Sequence, residues 1–202
     1  MSGQTEPLVR GDSVLLRRPI PADRDEFVAL RRASANFLRP WEPRPARGVD
    51  PLGSPAFAAY LEGSRCERRE RLLLCEAAGG AIVGGINLNE IARGPFESAA
   101  LGYWIGAPFA RRGYMSAGLV LALHHAFEGL GLHRVEANIR PENEASLALV
   151  RRAGFRCEGF SPRYLEIDGT WRDHGRWALL VEDWRAKRAA SAPSCGGSGS
   201  PG

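Results

Sequence analysis

The sequence predicts a single α/β domain with a mixed, mostly antiparallel sheet of about seven strands and about four helices. Three observations predict it. The chain has 202 residues, 44% of them hydrophobic, which is enough for one substantial core. Strand-like and helix-like segments follow in the order β-α-α-β-β-β-α-β-α-β-β, which is typical of a mixed sheet with helices on its faces. A β-prone run, Leu101–Gly106, also leads through a short turn into a helix after Gly113.

The first half of the chain reads as a strand, two helices and a three-stranded meander. Residues 1–12 are predicted to be a flexible leader, and Ser13–Arg18 forms a strand that the following prolines end. Ala22–Asn36 fits a helix with an acidic first turn, and a second helix is expected from about Ser54 to Arg68. The meander strands are expected at Arg71–Glu76, Ile82–Leu88 and Ala99–Gly106.

The second half alternates helices and strands. Its elements are expected as a helix from Gly113 to about Gly129, a strand at His133–Arg140, a helix at Asn143–Ala153, and strands at Phe155–Phe160 and Trp177–Val181 with a turn at Asp168-Gly169. The domain is therefore expected to span residues 13–184. Residues 185–202 end in a low-complexity stretch and are predicted to be a disordered tail.

Composition argues against several functional classes. The net charge of +4 is modest and no dense basic block is interleaved with aromatic residues, so nucleic acid is not the expected main ligand. No apolar stretch approaches the roughly 20 residues that span a bilayer, and the N-terminus lacks a signal-peptide core, which predicts a cytoplasmic protein without membrane attachment. The four cysteines form no C-x-x-C pair, so no metal site is expected.

The segment Leu101–Ser116 is the strongest candidate for a binding site. A strand that ends in a turn and starts a helix directs several unpaired backbone N–H groups towards one point. Arg111 and Arg112 lie in that turn, beside Gly113. Guanidinium groups next to free N–H groups favour a ligand that carries phosphate.

A second element follows the next strand. Asn143-Glu144-Ala145-Ser146 begins a helix, and Gly154-Phe155 closes it. Together with the turn at Arg111–Gly113, this combination resembles the GCN5-related N-acetyltransferase (GNAT) superfamily, in particular its RimJ/RimL-type branch that acetylates the N-termini of ribosomal proteins. The resemblance covers about residues 13–182. It is carried by the segments 38–43, 103–105, 111–115, 133–138, 143–146 and 164–174.

The resemblance implies acetyl-CoA as the cosubstrate and no metal. The strands at 99–106 and 133–140 would splay apart so that the pantetheine arm can bond to their free backbone groups, while the turn cradles the pyrophosphate. The cofactor-binding residues implied are Trp104, Ile105, Arg111, Arg112, Gly113, Tyr114, Met115, Ser116, Asn143 and Arg152. One departure stands out, because Arg111 occupies a position where the family usually has glycine.

The resemblance also implies a catalytic role for Ser146, facing the CoA sulfur and stabilising or protonating the leaving thiolate. Glu136 and Glu166 are the candidates for the general base, since Asn138 stands where some relatives place a glutamate. A strong base is not required, because an α-amino group has a pKa near 7.7–8.0. A backbone N–H near Ile105 is expected to hold the oxyanion.

The function implied is direct transfer of acetyl from acetyl-CoA to a primary amine in a ternary complex, with a protein N-terminus of the ribosomal-protein type as the preferred acceptor. Phe37–Trp41 and the hairpin at 160–172 are expected to shape the acceptor mouth. Two alternatives stay open. One is acetylation of a small amine such as a polyamine, an aminoglycoside or an amino-acid derivative. The other is a non-catalytic acyl-CoA-binding module. The protein is expected to be a monomer or a homodimer.

Overall fold

A computed structural model of the chain describes residues 6–43, 50–64 and 66–191, and its centre is one eight-stranded sheet. The strand order is β1-β2-β3-β4-β5-β6-β8-β7, and every neighbouring pair is antiparallel except β5 and β6. The strands are β1 (Val9–Arg10), β2 (Val14–Arg17), β3 (Glu70–Glu76), β4 (Ile82–Ala92), β5 (Ser98–Ile105), β6 (Arg134–Ile139), β7 (Arg156–Ile167) and β8 (Thr170–Leu180). The mixed, mostly antiparallel sheet predicted from the sequence is confirmed.

Helices pack on both faces of this sheet. They are α1 (Arg24–Ala33), α2 (Ala35–Leu38), α3 (Ser54–Gly63), α4 (Tyr114–His124), α5 (Glu144–Ala153) and α6 (Val181–Ser191). A π-helical turn, His125–Gly129, continues α4. Within the described ranges, every helix is too short or too polar to cross a lipid bilayer.

Each face of the sheet buries its own core. Along β3, Leu72 and Leu74 pack on the side of α4 and α5, whereas Leu73 and Cys75 pack on the side of α1 and α3. Successive side chains of a strand point to opposite faces, so a strand covered on both faces needs apolar residues at every position. The unbroken run Leu72–Cys75 follows from this double burial.

Among the strands of the described residues, β5 and β6 are the one parallel pair, and they stay together for a short distance. Their register joins Ser98 to Arg134, Ala99 to Val135 and Ala100 to Glu136, and no pairing continues beyond Ala100. Past that point β5 pairs only with β4, and β6 pairs only with β8. We call the resulting gap, between 101–105 of β5 and 137–139 of β6, the fork. The splayed central strands predicted from the sequence are confirmed.

A long hairpin of β7 and β8 forms one edge of the sheet. Its turn consists of Asp168 (φ +49°) and Gly169 (φ +78°), and two residues with positive φ are typical of a type I′ hairpin turn. The turn predicted at these two residues is confirmed. Register shifts interrupt β7 between Cys157 and Gly159 and again between Ser161 and Leu165. Arg163 lies in the second interruption with φ +48°.

Several boundaries differ from the sequence prediction, most of all in the last hairpin, whose strands are predicted at 155–160 and 177–181 but span Arg156–Ile167 and Thr170–Leu180. The segment predicted as a flexible leader contains β1, whose neighbour Leu8 donates its N–H to Leu16 O at 2.9 Å. The second helix ends at Gly63 instead of Arg68, because Ser64 follows as a cap and its hydroxyl bonds to Leu61 O at 2.6 Å. Residues 1–5 lie outside the described ranges.

The predicted tail also needs correction, since α6 runs on to Ser191. Trp184 anchors this helix: it is only 5% exposed, and its ring lies 5.2 Å from that of Phe127. The next residue, Arg185, pairs with Glu128 at 3.2 Å. Burial of one large aromatic side chain is enough to hold a helix that composition alone presents as a loose tail. Residues 192–202 lie outside the described ranges.

A buried ion pair ties β3 to the end of α4. Glu70 accepts from His125 Nε2 at 2.8 Å and from Arg18 Nη2 at 2.6 Å. Burial alone would raise the pKa of the Glu70 carboxyl, but these two donors outweigh it and hold the pKa below its usual value. The carboxylate therefore stabilises the folded state at neutral pH.

Replacing this carboxylate should destabilise the protein. Glu70→Gln leaves His125 and Arg18 without their anionic partner, and we expect the free energy of unfolding in urea at pH 7 to fall by about 3 kcal/mol. Because the folded pKa is the lower one, the contribution is complete above the ordinary glutamate pKa of about 4.3 and is lost as the pH falls through the folded value. The gap between wild type and variant should therefore shrink in acid. The matched control is Glu67→Gln, at an exposed position three residues away. An equal effect of the two changes would contradict the assignment.

Candidate active site

The turn between β5 and α4 has the geometry of an anion cradle. Its first part, Ala107–Phe109, is a single 3-10 turn, and the chain then passes through Arg111 (φ +63°) and Gly113 (φ +83°). The first N–H to bond back into α4 is that of Ala117, to Gly113 O at 3.0 Å. The N–H groups at 114–116 therefore have no partner within the helix, at its positive end.

Arg111 adopts a backbone conformation that favours glycine. A left-handed residue with a side chain carries a strain of about 1–2 kcal/mol. The arginine therefore preserves the path of the turn expected for a glycine while adding an exposed cation beside the free N–H groups. Arg112 lies next to it, with its guanidinium 5.8 Å from the centre of the Phe109 ring.

The start of α4 is fixed to the sheet. Tyr114 donates its hydroxyl to Glu76 Oε1 at 2.6 Å, at the end of β3. This bond to the carboxylate raises the pKa of Tyr114, so the phenol stays a donor at neutral pH. Met115 packs against the core on the same face as α5. The cradle is thus held by β3 as well as by β5.

The backbone of β5 directs alternate residues into the fork. Gly106 N–H bonds to Val83 O at 2.8 Å, and bonded pairs alternate along an antiparallel ladder. The polar backbone groups of Trp104 therefore point towards β4, while those of Leu101, Tyr103 and Ile105 point into the fork. These are the groups that could bond to an extended ligand lying between the strands.

Trp104 belongs to the opposite core. Its ring is 7% exposed and meets Phe27 edge-on at 5.5 Å, with the Arg31 guanidinium 4.9 Å from its centre. Neither its side chain nor its backbone groups face the fork. The structure therefore does not bring Trp104 together with the other residues predicted to bind the cosubstrate.

Helix α5 begins beside the fork, as the sequence predicts. Asn143 caps it, and its Oδ1 accepts the Ser146 N–H at 3.1 Å. This bond holds Ser146, which is half-buried, in the first turn of the helix. Arg152 lies at the other end of α5, where it is exposed and its carbonyl accepts Lys187 Nζ.

Sequence reasoning missed Tyr103. Its hydroxyl is buried and has no hydrogen-bond partner among the described residues. Burial raises the pKa of Tyr103 to about 12, and the Ser146 side chain acts in the opposite direction. The signal was the strict alternation along β5, because Leu101 and Ile105 pack on the face of α4 and α5 and Tyr103 lies between them.

The two candidate bases lie in different surroundings. Glu136 is the last β6 residue that pairs with β5, and its Oε1 accepts Arg134 Nε at 2.6 Å. Arg134 also contacts Glu158, so one guanidinium serves two carboxylates. Glu166 is exposed near the tip of the hairpin, opposite Trp171. Both glutamates stay predictions as bases.

A set of exposed aromatic and aliphatic side chains lies near the end of β6, on both faces of the β7–β8 hairpin and on the segment that bridges to it. Its two halves are joined by Arg140, which donates to Pro40 O at 2.7 Å and lies 5.3 Å from the centre of the Trp41 ring, and by the bridge from Pro43 to Ile167. We call it the aromatic surface; its members are Phe37, Trp41, Phe160, Tyr164, Leu165 and Trp171.

Asp173 and His174 do not form a catalytic pair. Asp173 Oδ1 accepts the Arg163 N–H at 2.7 Å, while His174 Nδ1 contacts Arg172 O at 3.0 Å. His174 is 3% exposed, and burial lowers its pKa. Both residues therefore hold the hairpin in shape. No cluster of potential metal ligands occurs in the described part of the chain.

Comparisons of the sequence and of the structure with known proteins match the same family. The family model "Acetyltransferase (GNAT) domain" matches residues 13–156. The [Ribosomal protein uS5]-alanine N-acetyltransferase of Escherichia coli is 34% identical over 170 residues, 82% of this chain and 88% of that protein. Probable N-acetyltransferase YjcK of Bacillus subtilis is 34% identical over 178 residues, 87% of this chain and 98% of that one. The structure of Mycobacterium smegmatis RimJ in complex with CoA-disulfide superposes with a TM-score of 0.79 at 32% identity, covering 88% of each chain.

Exchanging each arginine of the cradle for glycine should have opposite effects on stability. Arg111→Gly relieves about 1–2 kcal/mol of left-handed strain and costs about 0.5–1 kcal/mol of chain flexibility, so the free energy of unfolding should rise slightly. Arg112, whose φ is not positive, gains no such relief. Arg112→Gly should lower the free energy of unfolding by about 0.5–1 kcal/mol. Urea titrations of both variants provide the measurement, and a loss of stability in both would argue against strain at Arg111.

Proposed function

The chain belongs to the GNAT family of acetyltransferases, and from that membership we propose that it transfers acetyl from acetyl-CoA to the α-amine at a protein N-terminus. A ribosomal protein is the expected acceptor, because the E. coli relative is named as an alanine N-acetyltransferase of ribosomal protein uS5. The observation that carries the proposal is the fork, with free backbone groups on β5, a cradle at one end and the capped first turn of α5 following β6.

The residues around the fork fit acetyl-CoA. The free N–H groups of 114–116, with Arg111 and Arg112, suit a pyrophosphate, as helix N-termini and guanidinium groups do generally. The backbone groups of Leu101 and Tyr103 suit the amides of a pantetheine arm. In this arrangement Asn143 binds the arm beside the start of α5 while it caps the helix.

When bound, acetyl-CoA supplies an acetyl group activated as a thioester. We propose that the Ile105 N–H, which points into the fork, donates to the carbonyl oxygen where negative charge develops. Ser146 hydrogen-bonds the leaving sulfur. Because an α-amine has a pKa of about 7.7–8.0, much of it is already uncharged in the cytoplasm, where we place the protein, and binding in the right orientation supplies most of the rate. Glu136, at the closed end of the fork, is proposed to take up the proton through water, with Glu166 as the alternative.

The acceptor side favours a peptide over a polycation. The carboxylates nearest the fork and the aromatic surface already have cationic partners: Arg134 pairs with Glu136 and Glu158, and Arg140 pairs with Glu142. A polyamine needs a cluster of unpaired carboxylates, whereas these three are each engaged by an arginine and Glu166 adds a single exposed carboxylate on the hairpin. The exposed aromatic surface instead suits the apolar side chains of an extended N-terminal peptide.

Acetyl-CoA should stabilise the protein. Binding to the folded state alone adds about 2.7 kcal/mol when the ligand is at 100 times its Kd, which corresponds to a rise in Tm of several degrees. Gly113→Trp places an indole in the cradle and should abolish this rise. Gly131→Trp is the matched control, because Gly131 also has positive φ and open space around it but lies beyond the far end of α4. No rise for the wild-type protein would refute acetyl-CoA binding, and loss of the rise in both variants would refute the placement of the cradle.

The acceptor class can be tested by measuring thiol release from acetyl-CoA. We expect turnover with peptides that begin with alanine, and little with spermidine or an aminoglycoside. Preference for spermidine would favour the small-amine alternative, and acetyl-CoA binding without turnover on any amine would favour the non-catalytic module.

The aromatic surface should matter for the peptide alone. Trp171 is 59% exposed, and its loss removes apolar contact with the peptide, so Trp171→Ala should raise the KM for peptide about tenfold with the KM for acetyl-CoA unchanged. Phe96→Ala is the control, since Phe96 is 71% exposed in the loop between β4 and β5. Equal peptide KM values in the two variants would show that the peptide does not use this surface.

A further inference from the structure

A short segment after α2 lies across the open end of the fork, where β5 and β6 end. We call residues 39–43 the strap. On the β6 side, Arg140 follows the last residue of that strand and donates to Pro40 O at 2.7 Å. Pro43, the last residue of the strap, bridges to Ile167 of β7. The strap is therefore attached to the β6 and β7 side of the fork.

The strap is also attached to β5, through the end of α1. Arg31 donates from Nη1 and Nη2 to the two carboxylate oxygens of Glu42, at 2.7 and 2.6 Å. Its guanidinium lies 4.9 Å from the centre of the Trp104 ring, and Trp104 belongs to the part of β5 that no longer pairs with β6. One side chain thus joins the strap to the strand that borders the fork.

The end of α1 is itself fixed to β5 and to the turn that follows it. A Cβ at Gly106 would lie 2.5 Å from Leu30 Cδ1, so helix and strand are in close contact here. The buried Ser34 accepts the Ala107 N–H through its hydroxyl at 2.9 Å. Arg31 lies between these two contacts of the helix. Because a planar guanidinium with two parallel bonds fixes the direction of its partner as well as its distance, Arg31 orients the strap relative to β5.

The strap lies on the side of the sheet that α4 and α5 do not cover. Trp104 packs in the core with residues of α1 and α3, whereas Leu101 and Ile105 pack beneath α4 and α5. With acetyl-CoA bound beside the start of α4, as proposed, the amine reaches the thioester from the opposite side. The strap borders that entrance, and the ring of Trp41 is partly exposed there.

We propose that Arg31 is a positioning residue for the acceptor: by holding Glu42 in a bidentate ion pair beside Trp104, it fixes the strap at the entrance where the N-terminal peptide binds. The inference rests on the proposed function, because it needs a peptide acceptor. In this arrangement Arg31 touches neither substrate and acts through Glu42 alone.

A second bidentate pair at the opposite end of α1 supplies the control. Arg17 donates to both carboxylate oxygens of Asp23 at 2.7 Å, and Asp23 directly precedes the first residue of α1. The side chains of Arg17 and Arg31 are each 13% exposed, so the two pairs match in geometry and in burial of the cation. They differ in what they hold, since the Arg17 pair joins β2 to the start of α1.

Exchanging each arginine for lysine should separate positioning from stability. Lysine keeps the positive charge but cannot form two parallel bonds to a carboxylate. Arg31→Lys and Arg17→Lys should both lower Tm, because each loses part of a bidentate pair. Only Arg31→Lys should raise the KM for peptide, by about three- to tenfold, with kcat and the KM for acetyl-CoA unchanged.

Glu42→Gln removes the same ion pair from the side of the strap. The Glu42 side chain is 30% exposed, so the fold should tolerate the change. We expect it to raise the KM for peptide as Arg31→Lys does. The double variant should show no further increase, because both changes break one interaction.

Three results would overturn the inference while leaving the proposed function intact. The first is an equal KM for peptide in Arg31→Lys and Arg17→Lys. The second is a multiplicative effect of Arg31→Lys and Glu42→Gln. The third is a parallel rise in the KM for acetyl-CoA, which would show that Arg31 acts on β5 through Trp104 and not on the strap. Absence of turnover by the wild-type enzyme with every amine would overturn both the inference and the proposed function.

Discussion

The site depends on where β5 and β6 stop pairing. A parallel ladder normally satisfies every backbone group between its strands, but here it ends after Ala100 and Glu136. The strands can separate because each has another neighbour, β4 on one side and β8 on the other, that keeps its remaining groups bonded. The sheet thus stays continuous while the fork opens, and the cradle follows β5 while the start of α5 follows β6.

Most of the fold could be predicted because it follows from local patterns. The alternation of apolar and polar residues, with glycine and proline between the segments, located the main strands. The cap at Asn143 and the turn at Asp168-Gly169 depend on the chemistry of residues only a few positions apart. The helical end of the chain could not be predicted this way. Whether residues after 184 form a helix depends on the burial of Trp184 against Phe127, a tertiary contact with no local signature.

The site was predicted more accurately by segment than by residue. Motif resemblance treats Tyr103, Trp104 and Ile105 as one unit, yet a strand sends neighbouring side chains to opposite faces. Trp104 consequently lies in the core beneath α1, and Tyr103 borders the fork. The choice between the two faces was open in the sequence because both are buried, so neither polarity nor periodicity marked one of them as the binding side. At Arg111 the residue type differs from the glycine that is usual in the family, but the backbone keeps the left-handed conformation that the turn requires.

The interruption of β7 at Arg163 has a consequence for the whole molecule. As the last strand of the sheet, β7 exposes a row of unpaired backbone groups over a 12-residue element, and such an edge can recruit a strand from another chain. The left-handed kink and the preceding Pro162 break that row into two short pieces, and Asp173 holds the kink by accepting the Arg163 N–H. The same distortion that presents Tyr164 and Leu165 to solvent therefore also guards the protein against edge-to-edge aggregation.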